Sequence, residues 1–184
     1  SIYEEEIIIM NIVLSTLNAK YIHTNIAIRY LKASAAPDYQ CELAEYTIKD
    51  PAFNIVSDLF QKKPDVVGFS CYIWNINETM HVIQMLKTVL PNVKIVLGGP
   101  EVSYDVHDWL RKHKEIDFII MGEGEVSFKE LLQHFDGKLS LEEVRGLAYM
   151  QDGKLKIHPQ PPKVDLRELA TPFRFEEDLP HIGK

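Results

Sequence analysis

Cysteine is scarce in this chain of 184 residues: only Cys41 and Cys71 occur, too few for a disulfide framework. Both are flanked by strand-forming residues, the setting of a buried, reduced thiol, and their spacing provides neither a zinc site nor an iron–sulfur cluster. Long apolar runs are missing too. None approaches the roughly 18 residues of a membrane span, and no positively charged leader precedes an apolar segment, so the expected location is the cytoplasm. Basic residues are outnumbered, and the formal charge of −7 with no basic stripe argues against nucleic-acid binding, which needs concentrated Lys and Arg. Phosphate motifs are absent as well: no Gly-x-Gly-x-x-Gly follows the first apolar run, and no Gly-x-x-x-x-Gly-Lys-Ser/Thr occurs anywhere. Dinucleotide and nucleoside-triphosphate sites of those kinds are thereby disfavoured. What remains is an ordinary soluble composition, 46% hydrophobic and 26% charged, enough for one domain with a sizeable core and an appendage.

Short β-branched runs alternate with stretches of helical period, the pattern of βα units around a parallel sheet. Strands are expected at 7–17, 39–48, 64–72, 93–99 and 117–125 with its loop, and helices at 24–35, 51–63, 77–90, 103–113 and 126–135. The run 7–17 is almost continuously apolar, as for a strand covered on both faces, whereas 39–48 alternates and suits an edge. Thr24 is a candidate N-cap, Pro51 opens the second helix, and Met80, Val82, Ile83, Leu86 and Leu90 fall on one side of the third. The class is α/β, a five-stranded parallel sheet with helices on both faces, occupying 10–137. Asp152-Gly153 between two alternating runs predicts a small β-hairpin extension over 138–160. Residues 161–184 are rich in proline and charge and read as a linker toward another domain. Met10 could serve as a natural start, so residues 1–9 are set apart as an N-terminal extension, native or added in cloning.

In an open parallel sheet, ligands bind at the carboxyl ends of the strands, near a topological switch point. The loops there are "STLNAKYIHTN", "SCYIWNIN", "GGPEVSYD" and "GEGEVSF". They offer small residues, amides and hydroxyls (among them Ser15, Asn18, Ser70, Asn75, Gly98, Gly99 and Ser103), equipment for embracing a large amide-rich ligand rather than for catalysis. Tyr72 and Trp74 would pack beside such a ligand or close the core. His107 and His113, six residues apart on one helix, fall on different faces and do not suit a shared metal.

The segments "DVVGFSCYIWNI", "KIVLGGPEVS" and "DFIIMGEGEVSF", in that order within residues 10–135, resemble the N-terminal cobalamin (B12)-binding domain of B12-dependent radical SAM enzymes. The opening "MNIVLSTLNAKYIHTN" is similar to members of that group described as methyltransferases. The resemblance implies a Rossmann-like, flavodoxin-like fold. The cobalamin nucleotide tail would enter a crevice between the first and fourth strands, with the corrin over the strand ends. The implied cofactor-binding residues are Ser15, Leu17, Asn18, Ser70, Tyr72, Gly98, Gly99, Glu101, Gly122, Glu123 and Gly124, with no catalytic residue in this segment. Replacing Gly99 with Leu is expected to block the crevice while leaving the fold intact.

One departure concerns the Asp-x-His-x-x-Gly loop that supplies a lower cobalt ligand in many cobalamin domains. His23 stands in "LNAKYIHTNIA" with Tyr21 in place of the aspartate and Ile26 in place of the glycine, so it lacks the carboxylate that would orient it and is disfavoured as a ligand. By the same resemblance, a C-terminal radical SAM domain would carry S-adenosylmethionine and a [4Fe-4S] cluster, activating a methyl acceptor to which the corrinoid delivers a methyl group. Two alternatives stand beside this reading: a degenerate domain without cofactor, acting in docking or substrate shaping, and a stand-alone flavodoxin-like small-molecule binder.

Overall fold

A computed structural model describes residues 9–20 and 25–160. The expected alternation is realised in five βα units. These are β1 (Ile12–Asn18) and α1 (Ile26–Ala35), β2 (Cys41–Thr47) and α2 (Ala52–Gln61), β3 (Val66–Ser70) and α3 (Ile76–Val89). Then come β4 (Lys94–Gly98) with the short α4 (Pro100–Ser103) and α5 (Val106–Lys112), and β5 (Phe118–Ile120) with α6 (Glu125–Phe135). β6 (Leu147–Gln151) and β7 (Lys154–Ile157) form the hairpin around Asp152-Gly153.

The sheet order is β2-β1-β3-β4-β5-β6-β7, with β1 to β5 parallel and the last two pairings antiparallel. β2 is an edge, as its alternation implied. The hairpin is no appendage: Ile119 and Ile120 pair with Ala148 and Leu147, so β6 continues the main sheet to seven strands. That pairing joins residues far apart in sequence, which local turn chemistry does not encode.

Each face of the sheet has its own core. On one, Val13, Leu17, Val67, Phe69, Ile95 and Leu97 are buried beneath α2, α3 and α5. On the other, Ile12, Leu14, Val66, Val96 and Ile120 pack with Ile28 of α1 and with Phe128, Leu131 and Leu132 of α6. All seven residues of β1 are buried because both layers cover it. Met80, Val82, Ile83 and Leu86 are buried along α3, while Leu90 lies just past its end, its N–H bonded to the Leu86 carbonyl. Cys41 and Cys71 are buried free thiols. Burial pushes the Cys41 thiol up to about 11, partly offset by Lys32, and burial also pushes Cys71 far up, so neither is a nucleophile at neutral pH.

Two helix boundaries differ from expectation. The single helix over 103–113 is instead two, because Asp105 takes a non-helical conformation and caps α5 by accepting from the Asp108 N–H at 3.2 Å. The N-cap of α1 is Asn25, whose Oδ1 accepts from the Ile28 N–H at 3.1 Å. Thr24, the proposed cap, lies outside the described residues, as do His23, residues 1–8 of the N-terminal extension and the linker 161–184. After β7 the chain is tied back to the sheet, His158 N–H donating to the Leu147 carbonyl and Gly146 N–H to the Pro159 carbonyl, both at 2.8 Å. Gln160 thereby comes to rest on the β5–α6 loop, where a Cβ on Gly122 would meet its Oε1 at 2.6 Å. Among the described residues, no helix is long and apolar enough to cross a membrane.

Candidate functional site

The sheet order places the switch point between β1 and β3: from β1 the chain turns outward to β2, and from β3 onward it proceeds the other way. On the face covered by α1 and α6, one helix serves β1 and the other β5. The strands between them, β3 and β4, therefore have no helix of their own on that side. A cavity of about 340 Å³ fills the gap, near the lower end of the roughly 300–1,000 Å³ usual for ligand sites.

Its floor comes from Leu14 of β1, Gly68 of β3, Val96 and Gly98 of β4 and Ile120 of β5, its walls from Ile28 and Leu31 of α1 and Phe128 of α6. The two floor glycines differ in what they spare. A Cβ on Gly68 would approach Leu14 Cδ2 to 2.9 Å, whereas one on Gly98 would meet nothing nearer than the Ile120 carbonyl at 4.0 Å. Gly98 therefore keeps room for a guest and relieves no clash within the protein. The next residue, Gly99, has the opposite role. Its φ of +107° suits glycine, and a Cβ there would lie 2.3 Å from the Cys71 carbonyl oxygen. A Gly99→Leu change would thus disturb the β3–α3 loop itself, so the expectation that it would spare the fold is corrected; Gly98 is the position that tests the cavity.

The mouth holds Ser70, Tyr72, Gly99, Gly122, Glu123 and Gly124, all singled out in the sequence. The Ser70 hydroxyl has no hydrogen-bond partner among the described residues, although Thr16 and Asn75 both donate to the Ser70 carbonyl. Tyr72 and Trp74 do not close the core: their rings stack at 5.2 Å on the loop after β3, with Trp74 42% exposed. The Tyr72 hydroxyl accepts from Asn25 Nδ2 at 3.3 Å, linking this stack to the start of α1.

Four of the implied residues lie off the cavity. Ser15 and Leu17 fall on the opposite face from Leu14 because strand side chains alternate. Ser15 donates to the Ala44 carbonyl at 2.7 Å, and Leu17 borders a separate depression of about 380 Å³ with Asp50, Asn77, Glu78 and His81. Asn18 donates to Glu45 at 3.2 Å, and Glu101 sits in α4 without lining the cavity. The crevice expected between the first and fourth strands does not exist as such, since β3 is hydrogen-bonded to both. The open space lies above β3 and β4.

Sequence reasoning missed the contribution of α1, from which Ile26 and Tyr30 line the cavity while 45% and 42% exposed. Ile26 and Tyr30 stand four residues apart on one side of α1, a spacing that core residues share, and only the fold shows them half-exposed at a cavity. Asn75, counted in the sequence among the loop amides suited to a ligand, is instead spent on the protein itself. Fully buried, Asn75 donates to the Leu17 carbonyl at 3.1 Å and to the Ser70 carbonyl at 3.2 Å and accepts from the Tyr72 N–H at 2.8 Å. One amide thus ties the ends of β1 and β3 to the loop that carries the aromatic stack.

A mostly parallel sheet with a predominantly apolar cavity beside its switch point defines a small-molecule or cofactor-binding α/β domain. The chain belongs to the B12 binding domain family, whose model matches residues 12–132. It is 26% identical over 149 residues to an uncharacterized methyltransferase of Pyrococcus horikoshii, covering 80% of this chain and 32% of that protein. It is 39% identical over 93 residues to the cobalamin-dependent radical SAM methyltransferase TokK of Streptomyces tokunonensis, covering 48% of this chain and 14% of TokK. Among solved structures, the radical enzyme OxsB with aqua-cobalamin and S-adenosylmethionine bound superposes with a TM-score of 0.71 at 18% identity, over 83% of this chain and 22% of OxsB, a likeness of fold. The chain spans about a third or less of the length of these relatives. The residues present fit part of a B12 cofactor: the volume and apolar lining suit a bicyclic base, Gly98 leaves a Cβ-sized space open, and the mouth opens at the strand ends, where a larger ring could lie.

Proposed function

We propose that this chain is the cobalamin-binding module of a longer B12-dependent radical SAM enzyme, a methyltransferase. The observation that carries the reading is the cavity over β3 and β4, where Gly98 holds open space that the protein does not need for its own packing. In this reading Leu14, Ile28, Val96, Ile120 and Phe128 would hold the nucleotide tail of the cofactor, and Ser70, Tyr72, Gly99 and the Gly122–Gly124 loop at the mouth would hold the corrin. The bound corrinoid supplies a transferable methyl group, and the chain's part is to bind, orient and exclude water. Residues 10–137 make up the binding domain and 138–160 its β extension, with 161–184 leading to a C-terminal radical SAM domain that holds S-adenosylmethionine and a [4Fe-4S] cluster and meets the methyl acceptor.

Titration of hydroxocobalamin into the 184-residue chain tests the module. A shift in the corrinoid absorbance with co-elution of colour and protein is the expected result. No shift and no co-elution at high micromolar protein would leave the domain as a cofactor-free docking module.

A further inference from the structure

Resting on the corrinoid reading above, we propose that the cavity selects its cofactor by the lower base, accepting a benzimidazole-type base and disfavouring a purine. Natural corrinoids share the ring and differ in the heterocycle that ends the nucleotide tail. Dimethylbenzimidazole presents two methyl groups where adenine presents an exocyclic amine and further ring nitrogens. The deep part of the cavity offers those polar atoms no partner. Leu14, Ile28, Val96, Ile120 and Phe128, which form it, are purely apolar and each at most 4% exposed.

The backbone of the floor is committed as well. β3 pairs with β1 on one side and β4 on the other, Gly68 standing opposite both Leu14 and Val96, and β4 pairs with β3 and β5. Polar side chains occur only toward the mouth: the unpartnered hydroxyl of Ser70, the Tyr72 hydroxyl already held by Asn25, the Tyr30 hydroxyl on the half-exposed outer part of α1, and the Glu123 and Glu125 carboxylates of the β5–α6 turn. One free hydroxyl at the strand end can donate a single hydrogen bond to the tail and lies outside the deep part that would hold the base. A purine would bury several without partners, and a polar group buried without a hydrogen bond loses binding in proportion to its desolvation.

The test compares three probes by absorbance titration of the same chain: cobalamin, its adenine-base counterpart, and cobinamide, which lacks the nucleotide. Cobalamin should bind about tenfold or more tightly than the adenine form, the loss expected for at least one unpaired buried polar group. Cobinamide should bind more weakly than cobalamin. Val96→Thr, which sets a hydroxyl in the floor at nearly constant shape, should narrow the ratio between the two bases. Equal affinity for the two bases, or an unchanged ratio in Val96→Thr, overturns base selection and leaves the corrinoid reading standing. Cobinamide binding as tightly as cobalamin overturns the placement of the tail, and with it the selection. Failure of all three to bind overturns the reading on which the inference rests.

Discussion

The same two strands serve the two faces of the sheet in opposite ways. Toward α2, α3 and α5, β3 and β4 present Val67, Phe69, Ile95 and Leu97, none more than 2% exposed. Toward α1 and α6 they present Gly68, Ser70, Val96 and Gly98, and the space above is a cavity. Because successive side chains of a strand point to opposite faces, one run of residues specifies a filled layer on its odd positions and an open one on its even positions. Stability and binding are thereby assigned to different residues of the same strands, and substitutions on the two faces should have separable effects.

The largest effect is expected on the filled face. Phe69→Ala should lower unfolding free energy by about 3–5 kcal/mol, read from urea denaturation. A loss below about 1 kcal/mol would mean that this layer yields as easily as the other and would erase the contrast. Next comes the open face, where Gly98→Leu should weaken corrinoid binding by about a hundredfold or more, by steric exclusion, while stability stays within about 1 kcal/mol. Its neighbour supplies the control: Gly99→Leu should cost about 1–3 kcal/mol or more of stability, since a side chain there must adopt an unfavourable φ and displace the Cys71 carbonyl. If Gly98→Leu unfolds the protein and Gly99→Leu does not, the two roles have been assigned the wrong way round. The smallest effect concerns Thr79, buried in α3 with a hydroxyl that has no partner among the described residues. Thr79→Val should change stability by about 1 kcal/mol or less, toward greater stability, because it removes an unpaired polar atom at constant shape. A loss instead would show that the hydroxyl is satisfied in solution.

Much of this arrangement was legible before any coordinates. The alternation of β-branched runs with helical periods is dictated by burial, so the five βα units and the edge position of β2 could be read directly. The Asp152-Gly153 turn was legible because its chemistry is local. What escaped was whatever depends on partners distant in sequence. Nothing in "LAYMQ" states that it will pair with β5, and nothing in "IAIRYL" states whether Ile26 and Tyr30 face a core or a ligand. At the site, the loops were found from the rule for open sheets, and Ser70, Tyr72, Gly98, Gly99 and the Gly122–Gly124 loop do converge on one cavity. Ser15 and Leu17 were drawn in by nearness in sequence to the strand end, but a shift of one residue along a strand exchanges faces. Gly98 and Gly99 look alike in the sequence, and only the backbone conformation separates the one that makes room from the one that makes a turn.

The resting place of Gln160 on Gly122 has a kinetic and energetic corollary for whatever follows in the chain. The hydrogen bonds at His158 and Pro159 fix the point of departure at the lip of the cavity, so any downstream domain begins its search from there. A partner tethered so close experiences a local concentration on the order of millimolar, at which even a weak intrinsic affinity keeps it engaged. Were a second domain to follow, its contact with the strand ends would need little affinity of its own and would stay reversible, which a tight, free-standing interface would not.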